Sequence, residues 1–384
     1  MLRKIKKKIE QRLLHLCKNR LKKPSRVSIF IYEPLQSFLI KRKYKRSYPY
    51  LFPLRNDTSY YRKEVKAYWR EKLGIYVNPV WHEILAKQTS NFDPRNLNQE
   101  IWDSQIRRKL NPASHHVPVI SDKNFYDFYI DKKNLPATVF KIVRGNFFNP
   151  ENELITKEQA KDLLFEADNI LFVKSSNLFQ GLNTFKIHIR KPHIVLNSTE
   201  LDFDKFISRM GHDVIVQRVI KQHSKIAKMH PNSLNTLRIF TLRLSSGVHF
   251  LSAFQKFGAD NNDADNTGNG VICGIHKKTF ELYDYGYDRR YQKSTVHPST
   301  GMSYRSFGVI PHCKKAIDLC KNTHRNLFYH NFIGWDVSIQ LTGEPVIIEP
   351  NTKQDIEFYQ IIKGEPFLGE FTEQVLEEIK HLPS

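Results

Sequence analysis

Residues 334–351 read GWDVSIQLTGEPVIIEPN, two runs rich in β-branched and aromatic residues on either side of Thr342-Gly343. A small turn pair between such runs predicts a β-hairpin with strands over 335–340 and 346–349. If the turn centres on Thr342-Gly343 without a bulge, Asp336 and Glu349 lie directly opposite each other. Opposed residues share a sheet face, with Cβ atoms about 4.5–5.5 Å apart. Asn351 projects from that same side, because side chains alternate along a strand. Two carboxylates so placed repel unless something compensates them. Two readings of the pair are open. A divalent cation would compensate, and two carboxylates plus an amide carbonyl suit Mg²⁺, with nucleotide phosphates and water completing the shell. Alternatively, the hairpin faces solvent and each acid has a salt-bridge partner.

Working outward from the hairpin, short strand-like runs alternate with helical ones. Strands are expected over 137–144, 169–174 and 184–190, a helix over 157–167, and a further element from Val214 to Ile220. Residues 235–244, NTLRIFTLRL, alternate cleanly, which puts Arg238 on the face opposite Leu237 and Ile239. A C-terminal helix is expected near 369–381. No internal repeat is present. Such a pattern predicts an α/β chain of α+β lobes. Lys174 ends an apolar strand and opens a loop, Ser175-Ser176-Asn177-Leu178-Phe179-Gln180-Gly181. Backbone amides there could cover phosphate oxygens while Lys174 supplies a point charge. The plainer alternative is a strand-end cation reaching water.

The composition excludes several classes. The chain has 384 residues, 40% hydrophobic and 12% aromatic, enough for two or three domains and a sizeable core. No apolar run is long enough to span a bilayer, and the N-terminus lacks the pattern of a signal peptide. Cys17, Cys273, Cys313 and Cys320 form no CxxC pair, which argues against a zinc site or a disulfide framework. Cys313 and Cys320 share one face of an expected helix, where core packing is their role. A reducing cytoplasmic setting fits these thiols.

The formal charge of +21 suggests a nucleic-acid partner, but its distribution does not. Residues 1–46 hold 16 Lys and Arg against Glu10 and Glu33. Residues 2–21 form a basic amphipathic helix, with Leu2, Ile5, Ile9, Leu13, Leu16 and Leu21 at helical spacing. Such a helix can lie on an anionic membrane face or pack on the protein body. RNA binding is weaker, since no recognition motif accompanies the charge.

The order of these motifs, a strand-end lysine with its loop, then NTLRIFTL, then GWD…IIEPN, resembles the ATP-grasp superfamily. It is most similar to the sugar-transfer-associated branch. Ser121-Asp122-Lys123-Asn124, DPRNLN and RKLNP between Asp93 and Pro112, Ala264-Asp265-Asn266 with Gly268 and Gly270, and His297-Pro298 extend the match. The resemblance runs over roughly residues 65 to 370 and implies two α/β lobes clasping ATP. The implied boundaries are a basic extension (1–48), a helical pre-domain (49–118), an N-terminal lobe and lid (119–213), a C-terminal lobe with the metal site (214–372) and a tail (373–384).

The resemblance also implies roles. Lys174 with Ser175 and Ser176 would contact ATP phosphates, and either Lys141 or Lys123 would be the second nucleotide lysine. Gln217, within VQRVI, would lie at the adenine hinge, where superfamily members often carry an acid. Arg238 would stabilise the transferring phosphoryl group, Asn235 would orient its neighbours or the substrate, and Asp336, Glu349 and Asn351 would hold Mg²⁺. The implied activity is ADP-forming ligation of a small carboxylate to an amine or a hydroxyl, in surface polysaccharide biosynthesis. A small-molecule kinase and a non-catalytic nucleotide-binding partner of an assembly complex are the alternatives. The implied location is cytoplasmic, with a possible peripheral place at the inner membrane face.

Overall fold

The computed structural model describes residues 2–21, 26–51, 59–112, 117–176, 184–259 and 270–382. The expected loop beyond Ser176 and the Ala264-Asp265-Asn266 stretch with Gly268 lie outside the described residues. The chain divides into two compact units, one of residues 1–110, 287–293 and 355–384, the other of 111–286 and 294–354.

The first unit is helical. Helix α1 (Leu2–Leu21) lies against α2 (Arg26–Ser47). Cys17 and Leu21 are buried, and Glu10 pairs with Arg42 at 3.2 Å and with Arg46 at 2.7 Å. The amphipathic helix of the sequence is therefore present, with part of its apolar side packed on a second helix. Helices α3 (Ser59–Leu73) and α4 (Val80–Thr89) follow. The helix Ile356–Lys363 carries Gln360, whose Oε1 accepts from Leu97 N at 2.8 Å, and the expected C-terminal helix is Thr372–His381.

The second unit holds two antiparallel sheets. The first has eight strands: β1 (Thr138–Val143), β2 (Asn146–Phe148), β3 (Leu154–Ile155), β4 (Ile170–Ser175), β5 (Thr184–Arg190), β6 (His193–Leu196), β7 (Thr199–Leu201) and β8 (Val214–Arg218). Their order is β3-β2-β1-β8-β4-β5-β6-β7. Phe140, Ile142, Leu171, Val173, Val214 and Val216 alternate onto one face. There they pack against Ala160 and Leu164 of the helix Lys157–Glu166 and Phe203 and Phe206 of the helix Phe203–Met210. Thr156 and Gln159 close a reciprocal capping box at the start of the first of these helices. The opposite face carries polar residues. Lys141 and Lys174 both pair with Ile215, so the three stand in one row, with Gln217 one step along.

The second sheet has seven strands: β9 (Thr236–Leu244), β10 (Gly247–Phe257), β11 (Val271–Ile275), β12 (Leu282–Asp288), β13 (Lys293–Ser294), β14 (Phe332–Ile339) and β15 (Pro345–Asn351). Their order is β13-β12-β11-β10-β9-β14-β15. Leu237, Ile239, Ile333, Trp335 and Val337 face a core built with Ala316, Ile317, Cys313 and Cys320 of the helix Cys313–His324. Both cysteines are core residues, as their spacing implies.

The hairpin β14–β15 reaches the expected Asp336–Glu349 pairing by a different route. Gln340 N bonds Glu344 O and Gly343 N bonds Gln340 O, each at 2.9 Å, so three residues, Leu341 to Gly343, form the turn. Gly343 takes a φ of 86°, a left-handed conformation that favours glycine. This longer turn moves the register by one. A bulge at Ile348, between the pairs Val337–Ile347 and Asp336–Glu349, moves it back.

Candidate nucleotide and metal site

The second face of the seven-stranded sheet is apolar at one end and charged at the other. Phe240 stacks on Phe332 and lies edge-on to Phe254. One step along, Arg238 of β9, Asp336 of β14 and Glu349 of β15 pair in a row across three strands. Lys256 of β10 pairs with Thr236, beside Arg238. All four charged side chains are buried. The hairpin acids therefore do not face solvent.

Arg238 Nε and Nη2 donate to the two oxygens of Asp336, each at 2.8 Å. Lys256 Nζ lies 3.5 Å from Asp336 Oδ1. Burial pushes the Asp336 carboxyl up, yet Arg238 and Lys256 outweigh it and hold the group below its ordinary range. The charge compensation inferred for the acid pair thus comes to Asp336 from protein cations. Glu349 differs. Burial raises its pKa, opposed by Lys123 and reinforced by Asp336. Its Oε1 is buried without a hydrogen-bond partner. Asn351 Nδ2 reaches Asp336 Oδ2 at 3.4 Å.

A residue that the sequence reading passed over completes this row. Gln354 Oε1 accepts from Arg238 Nη1, and its Nε2 donates to Asn351 O at 3.1 Å. Gly334 makes the space. A Cβ there would lie 2.6 Å from Gln354 Nε2 and 2.8 Å from Phe240. A glycine inside a strand is the available signal that something approaches closely.

The lysines come from the first sheet and from the segment before it. Lys174 sits in the polar row of β4, and burial pushes its ammonium down to about 8, helped by Lys123 and opposed by Glu349. The Lys123 backbone N donates to Ser176 O at 2.9 Å, and Asp122 Oδ1 accepts from Asn124 N at 3.0 Å. Lys123 is thereby tied to the end of β4, with its side chain buried. Glu349 senses Lys123, Asp336, Arg238 and Lys174 together.

Lys141 is placed otherwise. Its Nζ bonds Asp127 Oδ2 and Asn152 Oδ1 at 2.7 Å and Asn124 O at 3.1 Å. This ammonium is committed to a buried structural network. A cavity of about 200 Å³ is lined by Lys123, Tyr126, Pro136, Lys141, Ile215 and Gln217, among others. Gln217 Nε2 donates to Pro136 O at 3.4 Å at its wall. Ser175 ends β4, and the Ser176 hydroxyl is buried without a partner.

Asn235 and His297 serve the scaffold. Asn235 Nδ2 donates to His230 O at 2.9 Å and its Oδ1 accepts from Gly258 N at 3.1 Å, fastening the start of β9 to the end of β10. His297 Nε2 bonds Gly258 O at 2.8 Å. A Cβ at Gly258 would fall 2.1 Å from Ser233 Oγ, so only glycine fits this junction.

Among the described residues, no group of three His, Cys, Asp or Glu side chains is placed to hold a metal. The row offers two carboxylates and an amide. The orphaned Glu349 Oε1, beside Asn351 and Asp336, nevertheless fits a hard divalent cation whose remaining ligands are phosphates and water.

Solved structures similar to this chain share little sequence with it. One is N5-carboxyaminoimidazole ribonucleotide synthetase from Thermotoga maritima, at 12% identity and a TM-score of 0.39, covering 71% of this chain and 52% of that one. Another is D-alanyl-alanine synthetase A from Vibrio cholerae, at 12% identity and a TM-score of 0.36, covering 68% and 65%. The chain thus spans about half the length of the first. A search of curated proteins finds no match. A family model described as sugar-transfer associated ATP-grasp matches residues 103–376 and so includes every residue of the row, the lysines and the cavity. The chain belongs to the sugar-transfer-associated ATP-grasp family.

Proposed function

We propose that this chain is an ATP-dependent, ADP-forming ligase that activates a carboxylate as an acyl phosphate and passes the acyl group to an amine or a hydroxyl. The observation that carries the reading is the convergence of Lys123, Lys174, Arg238 and Lys256 on two buried carboxylates, one with an unsatisfied oxygen. The negative oxygens of a polyphosphate suit a site where cations gather in this way.

Lys123 and Lys174 are assigned to the phosphates, Lys123 being preferred over Lys141 because the Lys141 ammonium is already committed. Asp336, Glu349 and Asn351 would hold Mg²⁺, which when bound neutralises phosphate charge as the terminal bond breaks. Arg238 was expected at the transferring phosphoryl group. Its fork instead faces Asp336 and Gln354, so we assign it to positioning Asp336 as an ionised ligand. Gln217 and the cavity beside it are assigned to adenine.

In the first step a substrate carboxylate oxygen bonds to the γ-phosphorus and the bond to the β-phosphate oxygen breaks, releasing ADP. In the second, the amine or hydroxyl attacks the acyl carbon, phosphate leaves, and the nucleophile loses its proton. The low-dielectric surroundings of Lys174 strengthen its interaction with phosphate oxygens during the first step. The family description, sugar-transfer associated, supports a place in surface polysaccharide biosynthesis.

The test is incubation with Mg-ATP and panels of small acids in the presence of hydroxylamine. Acid-stimulated ADP release with hydroxamate is expected. A stable phosphorylated product without hydroxamate would make the chain a kinase, and no ADP release with any acid would contradict an enzymatic role.

A further inference from the structure

Helix α2 is inverted relative to an ordinary surface helix. Its buried side is mostly polar, with Leu39 as its buried apolar residue. Glu33, Gln36 and Ser37 are buried, Glu33 against Lys66 at 2.7 Å and the other two against Asn78 Nδ2 at 3.0 Å each. Its exposed side is apolar. Val27, Phe30, Ile31, Leu35 and Phe38 all face outward, Phe30 at 83% and Phe38 at 58% exposure. These positions recur at intervals of three and four, so they form one stripe along the helix. The stripe runs on into exposed Arg42 and Lys45, with Lys43 and Arg46 exposed beside them. Lys7, Lys8 and Arg12 of α1 are exposed as well.

A helix that buries its acid and amide while presenting two phenylalanines needs an apolar partner. The charge around the stripe selects which one. Residues 1–46 carry 16 cations against two glutamates. Both glutamates are already engaged, Glu10 by Arg42 and Arg46, Glu33 by Lys66. A second copy docking stripe to stripe would bring two such cationic clusters together. No helix of the described residues is long and apolar enough to cross a membrane.

We propose that the α2 stripe lies in the plane of an anionic lipid bilayer, with Phe30 and Phe38 in the acyl boundary and the Lys and Arg side chains at the headgroups. The two contributions are of the kind that together give stable peripheral binding where either alone is marginal. The proposal is independent of the catalytic reading, since no residue of the nucleotide site takes part.

Flotation of the full chain with vesicles of phosphatidylcholine, alone or mixed with phosphatidylglycerol, tests it. Binding should be at least about tenfold stronger to the anionic vesicles and should weaken with salt. Phe30→Ser with Phe38→Ser should lower it about tenfold or more with an unchanged melting temperature. Lys43→Gln with Lys45→Gln should lower binding to anionic vesicles only. Equal binding to both vesicle types, or full binding by the double Phe variant, would overturn the proposal. So would a concentration-dependent dimer, seen by sedimentation, that the Phe substitutions abolish, because it would give the stripe to a second copy.

Discussion

Arg238 and Asp336 stand opposite each other on adjacent strands and form a two-point ion pair, both bonds at 2.8 Å, inside the protein. The pairing means that Asp336 is kept ionised by its own scaffold. It also means that the arginine cannot be removed alone without leaving a buried charge. Arg238→Met should lower stability by about 3 kcal/mol, the low end of the cost of breaking a buried pair, because Lys256 stays 3.5 Å from Asp336. Asp336→Asn in the same chain should recover much of that loss. Urea unfolding of the two single variants and the double variant measures both effects, and strictly additive losses would contradict the pairing.

Gly334 holds the door for Gln354. Gly334→Ala places a methyl 2.6 Å from Gln354 Nε2 and 2.8 Å from Phe240. Gln354 is the more movable neighbour, so it should leave Arg238 and the Asn351 carbonyl. We expect a loss of about 1–3 kcal/mol. Adding Gln354→Ala should restore part of the stability but not the ADP release, since the contact to Arg238 stays broken. Thermal melts and turnover assays separate the two.

His82, buried in α4, donates from Nε2 to the Asn96 carbonyl at 2.8 Å, which makes Nε2 the protonated nitrogen of a neutral ring. Burial pushes its pKa down from 6.5 to about 4, against the opposing pull of that carbonyl. A depressed folded-state pKa gives stability that is present above the unfolded value and lost as pH falls through the folded one. Stability should therefore fall between about pH 6.5 and pH 4, by up to about 3 kcal/mol from this residue. His82→Gln, which keeps a donor for the carbonyl, should flatten that part of the pH profile in chemical denaturation. An unchanged profile would show that the ring is not buried neutral.

Much of the site was legible because carboxylates on strands obey a period of two. Asp336, Glu349 and Asn351 were placed on one face from spacing and turn chemistry alone. The register survived only because the extra residue in the turn and the bulge at Ile348 offset each other, and neither leaves a clear mark in the sequence. Strand β10 was not read, since its second half is buried on both faces and does not alternate. Lys256 was missed with it. Gln354 carries no charge and follows a strand end, so nothing in its neighbours announces a contact with Arg238. Lys141 and Lys123 could be separated only once Asp127 and Asn152, 14 and 11 residues from Lys141, were seen around its ammonium. In α2, Pro34 and an apolar run without an inward face disguised a helix of 22 residues.

On the proposed function, Lys174 and Glu349, from different sheets of one unit, grip the same magnesium-bound nucleotide. Calorimetric titration of a non-hydrolysable ATP analogue, with and without Mg²⁺, into the wild type, Lys174→Met and Glu349→Gln tests it most directly. Saturable, Mg²⁺-dependent binding is predicted for the wild type, weakened about tenfold or more in each variant, with both variants folded. Wild-type affinity in both variants, or binding indifferent to Mg²⁺, would contradict the account.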